Sequence, residues 1–395
     1  MDSTHQTSKK STTLEPEEKE ELQKIANTVR ILSMDAVQKA NSGHPGLPMG
    51  CAEIGAYLYG MLLKHNPKNP KWFNRDRLIL SAGHGSMWLY SLLHLSGYKV
   101  SLEDIKNFRQ LDSNTPGHPE SFETDGVETT SGPLGQGVGN ACGQALGLKL
   151  LAAKFNTEKH KLFDSKVYCL VGDGDMMEGV SSEVSSLSGH LQLDNLIIIY
   201  DANDVSLDGP LNDCCSENTK QRYLAYGFEV FEMNGNDLDD VHRVMTLAAQ
   251  DQKKPRLIIA HTIIGKGSPN KAGTSKVHGS PLGEEEIKLT KEALGLPLEP
   301  FFVSQSVYDF FSKKQKEEGR LEQEWNEMFD AWKQENPDLL NDFIQMKEKV
   351  LPEDLEDKLT KLEIKSPIAG RNASHSVIQE LTRLMPQIYG GSADL

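Results

Sequence analysis

Val167-Tyr168-Cys169-Leu170-Val171 runs into Gly172-Asp173-Gly174, and Leu196-Ile197-Ile198-Ile199-Tyr200 runs into Asp201-Ala202-Asn203. Each is an unbroken apolar run that stops at Gly or Asp, the pattern of a strand buried on both faces. In a parallel sheet, Asp173 and Asn203 would leave two carboxyl ends and open on one crevice. A carboxylate and an amide are hard oxygen donors, suited to Mg²⁺ or Ca²⁺ rather than zinc. Gly172 and Gly174, flanking the Asp, let backbone approach a phosphate closely. Gly-Asp-Gly alone also describes an ordinary turn. With the second strand and its Asn, the span reads as a clamp for a metal and a diphosphate.

Working outward, Arg77–Ser81 predicts a short strand, followed by Ala82-Gly83-His84-Gly85 and a helix through Leu95. Gly132-Pro133-Leu134-Gly135-Gln136-Gly137 opens a helix running to about Phe155, and Arg256–Ala260 is another buried-type strand. Helical patterns cover Leu22 to Lys39 and Met49 to Leu63. This alternation predicts an α/β fold, a doubly wound parallel sheet with helices on both faces, over residues 21–300. Residues 1–20, rich in Ser, Thr, Lys and Glu, read as a mobile tail. Residues 301–367 read as a helical connector on the surface. Residues 368–395 read as the start of a further domain, with a helix over 371–384 and a strand from Ile388 entering a loop.

The chain has 395 residues and a formal net charge of −15, with 25% charged and 37% hydrophobic residues. That balance fits a globular enzyme and disfavours general affinity for nucleic acid. No apolar run approaches the ~20 residues of a membrane span, so no membrane partner is expected. Five cysteines without a Cys-x-x-Cys pair suit a reducing cytoplasm and no disulfide framework.

Four histidines stand beside Gly or Pro: His44, His84, His118 and His278. Loop histidines at strand ends can face a site and move protons near neutral pH; any one alone equally describes a turn or surface residue. His190 lies in a helical pattern and reads as structural. Zinc is not expected, since the histidines and cysteines lack ligand spacing. The Gly132–Gly137 loop could set backbone N–H groups against phosphate, or be a plain helix entry with Pro near its first turn. Glu178 could relay protons or simply place charge in a helix's first turn.

Taken in order, these segments resemble the transketolase family of thiamin-diphosphate enzymes. The resembling stretches are Asn41–Gly46, Arg75–Met87, Thr115–Glu120, Gly132–Gly137, Gly172–Gly179, Val277–Leu282 and Gly390–Leu395. The resemblance implies transfer of a two-carbon ketol unit between sugar phosphates in the pentose phosphate pathway, by a homodimer. It implies Mg²⁺, with Ca²⁺ or Mn²⁺ as substitutes, held by Asp173, Asn203 and the carbonyl of Val205. It implies that His84, Gly132, Pro133, Leu134, Gly172 and Gly174 bind cofactor, with Ile264 near the thiazolium and Asp394 approaching from the next domain. His118 would contact donor-sugar hydroxyls, His44 and His278 the sugar carbonyl, and Arg371 the sugar phosphate. Glu178 would belong to a carboxylate relay between two active sites.

The chain departs from the family at Ala82, where Asn is common, at Ala202, where Asp is common, and at Asp175, where Cys is common. The family's pyrimidine-binding half, with its activating glutamate, would follow residue 395. The expectation is a truncated chain that carries the diphosphate half of the site and is inactive alone. The alternatives are the cofactor-binding half of a two-chain enzyme, with the pyrimidine half on another chain, and a non-catalytic binding fragment.

Overall fold

The computed structural model describes residues 13–251, 253–385 and 387–391. Among them, five strands, β1 (Arg77–Leu80), β2 (Val167–Gly172), β3 (Leu196–Ala202), β4 (Glu229–Asn234) and β5 (Arg256–His261), form one sheet. Its order is β1-β2-β3-β5-β4, and every neighbouring pair is parallel. All of β2 and β3 is buried, because helices cover both faces. Tyr168, Leu170, Ile197 and Ile199 point into a core with Trp88 and Leu92 of helix Ser86–Ser96 and with Val29 and Leu32 of helix Pro16–Ala40. The alternate residues Val167, Cys169, Leu196 and Ile198 are equally buried, on the side of helix Gln136–Phe155. This is the doubly wound α/β arrangement that the apolar runs predict.

Three elements differ from expectation. The stretch 49–63 is not one helix: it divides into Gly46–Gly50, Ala52–Tyr57 and a wider turn over Leu58–Leu62. Cys51 leaves helical geometry at the first break, and its carbonyl accepts from the Trp88 indole at 2.9 Å. The first helix begins at Pro16, inside the stretch expected as tail; the rest of that tail, 1–12, lies outside the described residues. No strand forms over 387–391, since no described strand lies there to complete a ladder. Residues 392–395 lie outside the description.

The chain forms two compact units, one reaching Trp325 and one from Asn326 onward. The first holds the sheet and the amino-terminal part of helix Gln305–Glu335. The second is helical, with Pro337–Lys347, Leu355–Thr360 and Gly370–Leu384. No described helix is long and apolar enough to cross a membrane.

Candidate functional site

In the sheet register Gly172 lies opposite Asp201, so Asp173 and Asn203 leave adjacent strands at one level. Asp173 is buried. Its Oδ1 accepts from the Tyr200 hydroxyl at 2.5 Å, while its Oδ2 is buried with no partner. Burial pushes its carboxyl up to about 7; the Tyr200 bond opposes that, and the charges of Asp201 and Asp204 add to it. A lone buried carboxylate oxygen beside two further acids calls for a cation. Among the described residues no group of three or more His, Cys, Asp or Glu is arranged to hold a metal ion. A cation here would therefore rest on this carboxylate with amide and carbonyl oxygens, the donor set of Mg²⁺ or Ca²⁺.

Asn203 is held ready for that role. Its Nδ2 donates to Asp201 Oδ2 at 2.9 Å, and its Oδ1 accepts from the Val205 N–H at 3.1 Å. The turn between them puts Asp204 at φ 60°, a left-handed conformation that Asp tolerates. Asp201 is wholly buried and also accepts from the Thr262 hydroxyl, at the end of β5. It ties two strand ends together and orients Asn203.

The four loop histidines meet. The ring of His44 lies 5.2 Å from His84, 5.7 Å from His278 and 6.4 Å from His118. His84 and His278 stack at 5.1 Å with 24° between planes. Burial holds His44 down to about 4, helped by His278, Arg109 and His118. Burial likewise holds His84 down to about 3, helped by His278, His44 and His118. His118 and His278 are also lowered, chiefly by burial. The cluster is thus neutral at physiological pH, able to donate from one ring nitrogen and accept at the other. Nδ1 of His44 and of His278 is buried without a partner. A Cβ added at Gly279 would fall 3.1 Å from His44 and 3.3 Å from Leu207, so the loop after Asn203 borders the same crevice.

The glycine-rich loop closes the other side. Gly132, at φ 148°, lies under His118 and against Gly83: a Cβ at Gly83 would sit 2.7 Å from the Gly132 nitrogen. A Cβ at Gly174 would meet Leu134 at 2.8 Å. The backbone facing Gly83 leaves no room for a side chain there, whereas at Gly174 the end of the Leu134 side chain would have to move. Pro133 is exposed at the loop's tip. Ile264 is buried with Met49 and Val277, and any Cβ at Gly46 would strike it at 2.7 Å.

Three further residues were expected at the site. Glu178 is exposed at the start of helix Gly179–His190, with its Cβ beside Gly135. Arg371 is exposed in the second compact unit. Asp394 lies outside the described residues.

Two residues to which the sequence assigns no role stand in these loops. Arg109, at φ 61°, donates from Nη1 to Ser42 Oγ at 2.8 Å and keeps a buried Nε without a partner. Its charge helps lower both His44 and His118. Asp175 is the other, buried beneath the glycine-rich loop.

Comparison with known proteins identifies the family. A family model described as transketolase, thiamine diphosphate binding domain, matches residues 21–352. The chain belongs to the transketolase family. A transketolase of Geobacillus stearothermophilus is 49% identical over 371 residues, which are 93% of this chain and 56% of that protein. A solved transketolase from Leishmania mexicana superposes with a TM-score of 0.90 at 41% identity, covering 95% of this chain and 56% of its own. A transketolase from Pichia stipitis, solved in complex with sedoheptulose-7-phosphate, gives 0.88 at 40% identity, over 95% of this chain and 56% of that one. This chain therefore spans about half the length of the transketolases it matches.

Proposed function

We propose that this chain forms the diphosphate-binding part of an active transketolase, which passes a two-carbon ketol unit from a ketose phosphate to an aldose phosphate. One observation carries the reading: four histidine rings from separate loops lie together, in a chain whose Asp173, at the carboxyl end of β2, keeps a buried, unpartnered oxygen. Asp173, Asn203 and the Val205 carbonyl would hold Mg²⁺, for which Ca²⁺ or Mn²⁺ could substitute. Gly172 and Gly174 leave room for the diphosphate. His84, Gly132, Pro133 and Leu134 would line the path to the pyrimidine, with Ile264 behind the thiazolium. When bound, thiamin diphosphate supplies the nucleophilic carbon and the electron sink.

The protein's own work is positioning, proton handling and exclusion of water. His44 and His278, neutral and with buried Nδ1 atoms free, would hydrogen-bond the sugar carbonyl oxygen and stabilise charge that develops there. His118, less buried, would hold sugar hydroxyls. Arg371 offers a guanidinium fork for the sugar phosphate, Asp394 would reach the cofactor, and Glu178 would serve the relay between paired sites. Activity of this kind places the protein in the pentose phosphate pathway of the cytoplasm, where its five free cysteines would stay reduced.

A homodimer is supported by helix Gly179–His190. It turns Ser181, Ser185 and Ser188 inward and leaves Val180, Leu187 and the following Leu191 exposed. A helix with serines inside and aliphatics outside is built to be covered. The half-length match supports a second reading, in which this chain binds cofactor and another polypeptide completes the site.

Calorimetric titration of the pure chain with thiamin diphosphate tests the proposal. Saturable binding that requires Mg²⁺ is expected. Asp173→Ala should weaken it by more than the ~10–100-fold typical of losing a ligand's outer partner. Absence of metal-dependent binding by a folded chain would overturn the reading.

A further inference from the structure

Asp175 stands two residues after the proposed metal ligand. It is fully buried, and its carboxylate makes three hydrogen bonds to three different segments. Oδ1 accepts from Ser81 Oγ at 2.6 Å, just past β1. The same Oδ1 accepts from the Gly135 N–H at 2.8 Å, where the glycine-rich loop enters its helix. Oδ2 accepts from the Gly172 N–H at 2.9 Å, at the end of β2. Gly135 sits at φ 81° and caps helix Gln136–Phe155 with no side chain of its own. The Asp175 carboxylate thus satisfies an amide at that helix start, from outside the helix.

Besides Asp175, the Ser131 N–H to the Pro119 carbonyl at 3.1 Å and the Gln136 N–H to the Pro133 carbonyl at 3.4 Å hold the loop. Gly83 abuts the Gly132 nitrogen, Gly174 abuts Leu134, and a Cβ at Gly137 would fall 2.5 Å from Ser81. These contacts set how near the segments come. None of them is directional, so hydrogen bonds must set the loop's orientation.

We propose that Asp175 is a positioning residue, whose carboxylate locks the Gly132–Gly135 loop onto the carboxyl ends of β1 and β2 and so preforms the cofactor cradle before ligand arrives. The inference rests on the proposed cofactor site but can be read without it. Hydrogen exchange of the ligand-free chain, followed by mass spectrometry, reports loop opening directly. It would be compared for wild type, Asp175→Ala and Asp175→Asn, alongside calorimetric titration with thiamin diphosphate and Mg²⁺.

The expected result is exchange over 131–138 faster by ~10-fold or more in Asp175→Ala, with the β3 and β5 amides unchanged. Asp175→Asn should fall between, because an amide oxygen can still accept while its NH₂ faces donors. Affinity for thiamin diphosphate should fall by ~10–100-fold in step with loop exchange. Unchanged loop exchange in both variants would overturn the proposal. So would exchange rising equally over 131–138 and the strands, which marks a merely structural acid. Wild type that exchanges as expected but binds no thiamin diphosphate would count against the proposed function and leave the lock standing.

Discussion

Charge is what the histidine cluster cannot accept. His44, His84, His118 and His278 lie within one another's reach, so protonating one raises the cost of protonating the next, and Arg109 adds a fixed positive charge nearby. The folded state holds His84 down to about 3 and His44 to about 4, from an ordinary 6.5. The unfolded chain therefore binds more protons below pH 6.5, and stability falls as pH drops from there towards 3. Each histidine adds a slope of at most ~1.4 kcal/mol per pH unit. His84→Gln should flatten that fall. The difference between wild-type and variant unfolding free energies, measured by urea denaturation at steps from pH 7 to pH 4, should grow steadily in the variant's favour. A difference that stays constant with pH would mean that His84 charges freely in the fold. The histidines themselves were legible in the sequence, because each stands beside Gly or Pro at a loop. Their convergence was not, since it depends on which strand ends become neighbours. Arg109 drew no reading, and Asp175 only the note that it stands where Cys is common, because a loop Arg and an acid near a helix start resemble ordinary surface charges until burial is known.

At the scale of elements, the strands with continuous apolar runs were readable and the alternating one was not. β2, β3 and β5 are fully or almost fully buried, so their sequences show no polar interruption. β4 at the sheet edge is half-exposed, with Glu229, Glu232 and Asn234 along it, and its mixed pattern resembles a loop or a short helix. Helix Gly179–His190 carries the opposite lesson, because its aliphatic face is solvent-exposed and its serine face is packed. If that face meets its own copy about a two-fold axis, each substitution is felt twice across the interface. Leu187, 46% exposed, should then tolerate Lys within about 0.5 kcal/mol of monomer stability. Self-association, followed by sedimentation velocity over a concentration series, should weaken by ~30-fold or more, as for a lost interface anchor. An unchanged sedimentation profile in Leu187→Lys, at concentrations where the wild type associates, would remove this helix from the dimer contact.

The whole molecule sets the last question, which is how much of a transketolase these residues supply. They match 56% of the length of the Geobacillus stearothermophilus relative and, among the described residues, carry the oxygen donors at the ends of β2 and β3 and the cluster of His44, His84, His118 and His278. Of the other expected contributors, Glu178 and Arg371 are exposed, and Asp394 is beyond the described residues. Binding and turnover should therefore separate. A diphosphate and its cation can be gripped by strand ends of a single sheet, because those ligands come from one register level of β2 and β3. Activating the cofactor's other ring requires groups that the resemblance places in the part of a relative not covered here. The pure chain is thus expected to bind thiamin diphosphate with Mg²⁺ and yet show no ketol transfer in a coupled spectrophotometric assay. Adding a polypeptide that corresponds to the uncovered part of a relative should produce turnover that rises with its concentration and saturates. Asp173→Ala in this chain should abolish that turnover while leaving the sheet folded. Ketol transfer by the pure chain alone would show instead that these residues complete a site by themselves, and the division of labour argued here would fail.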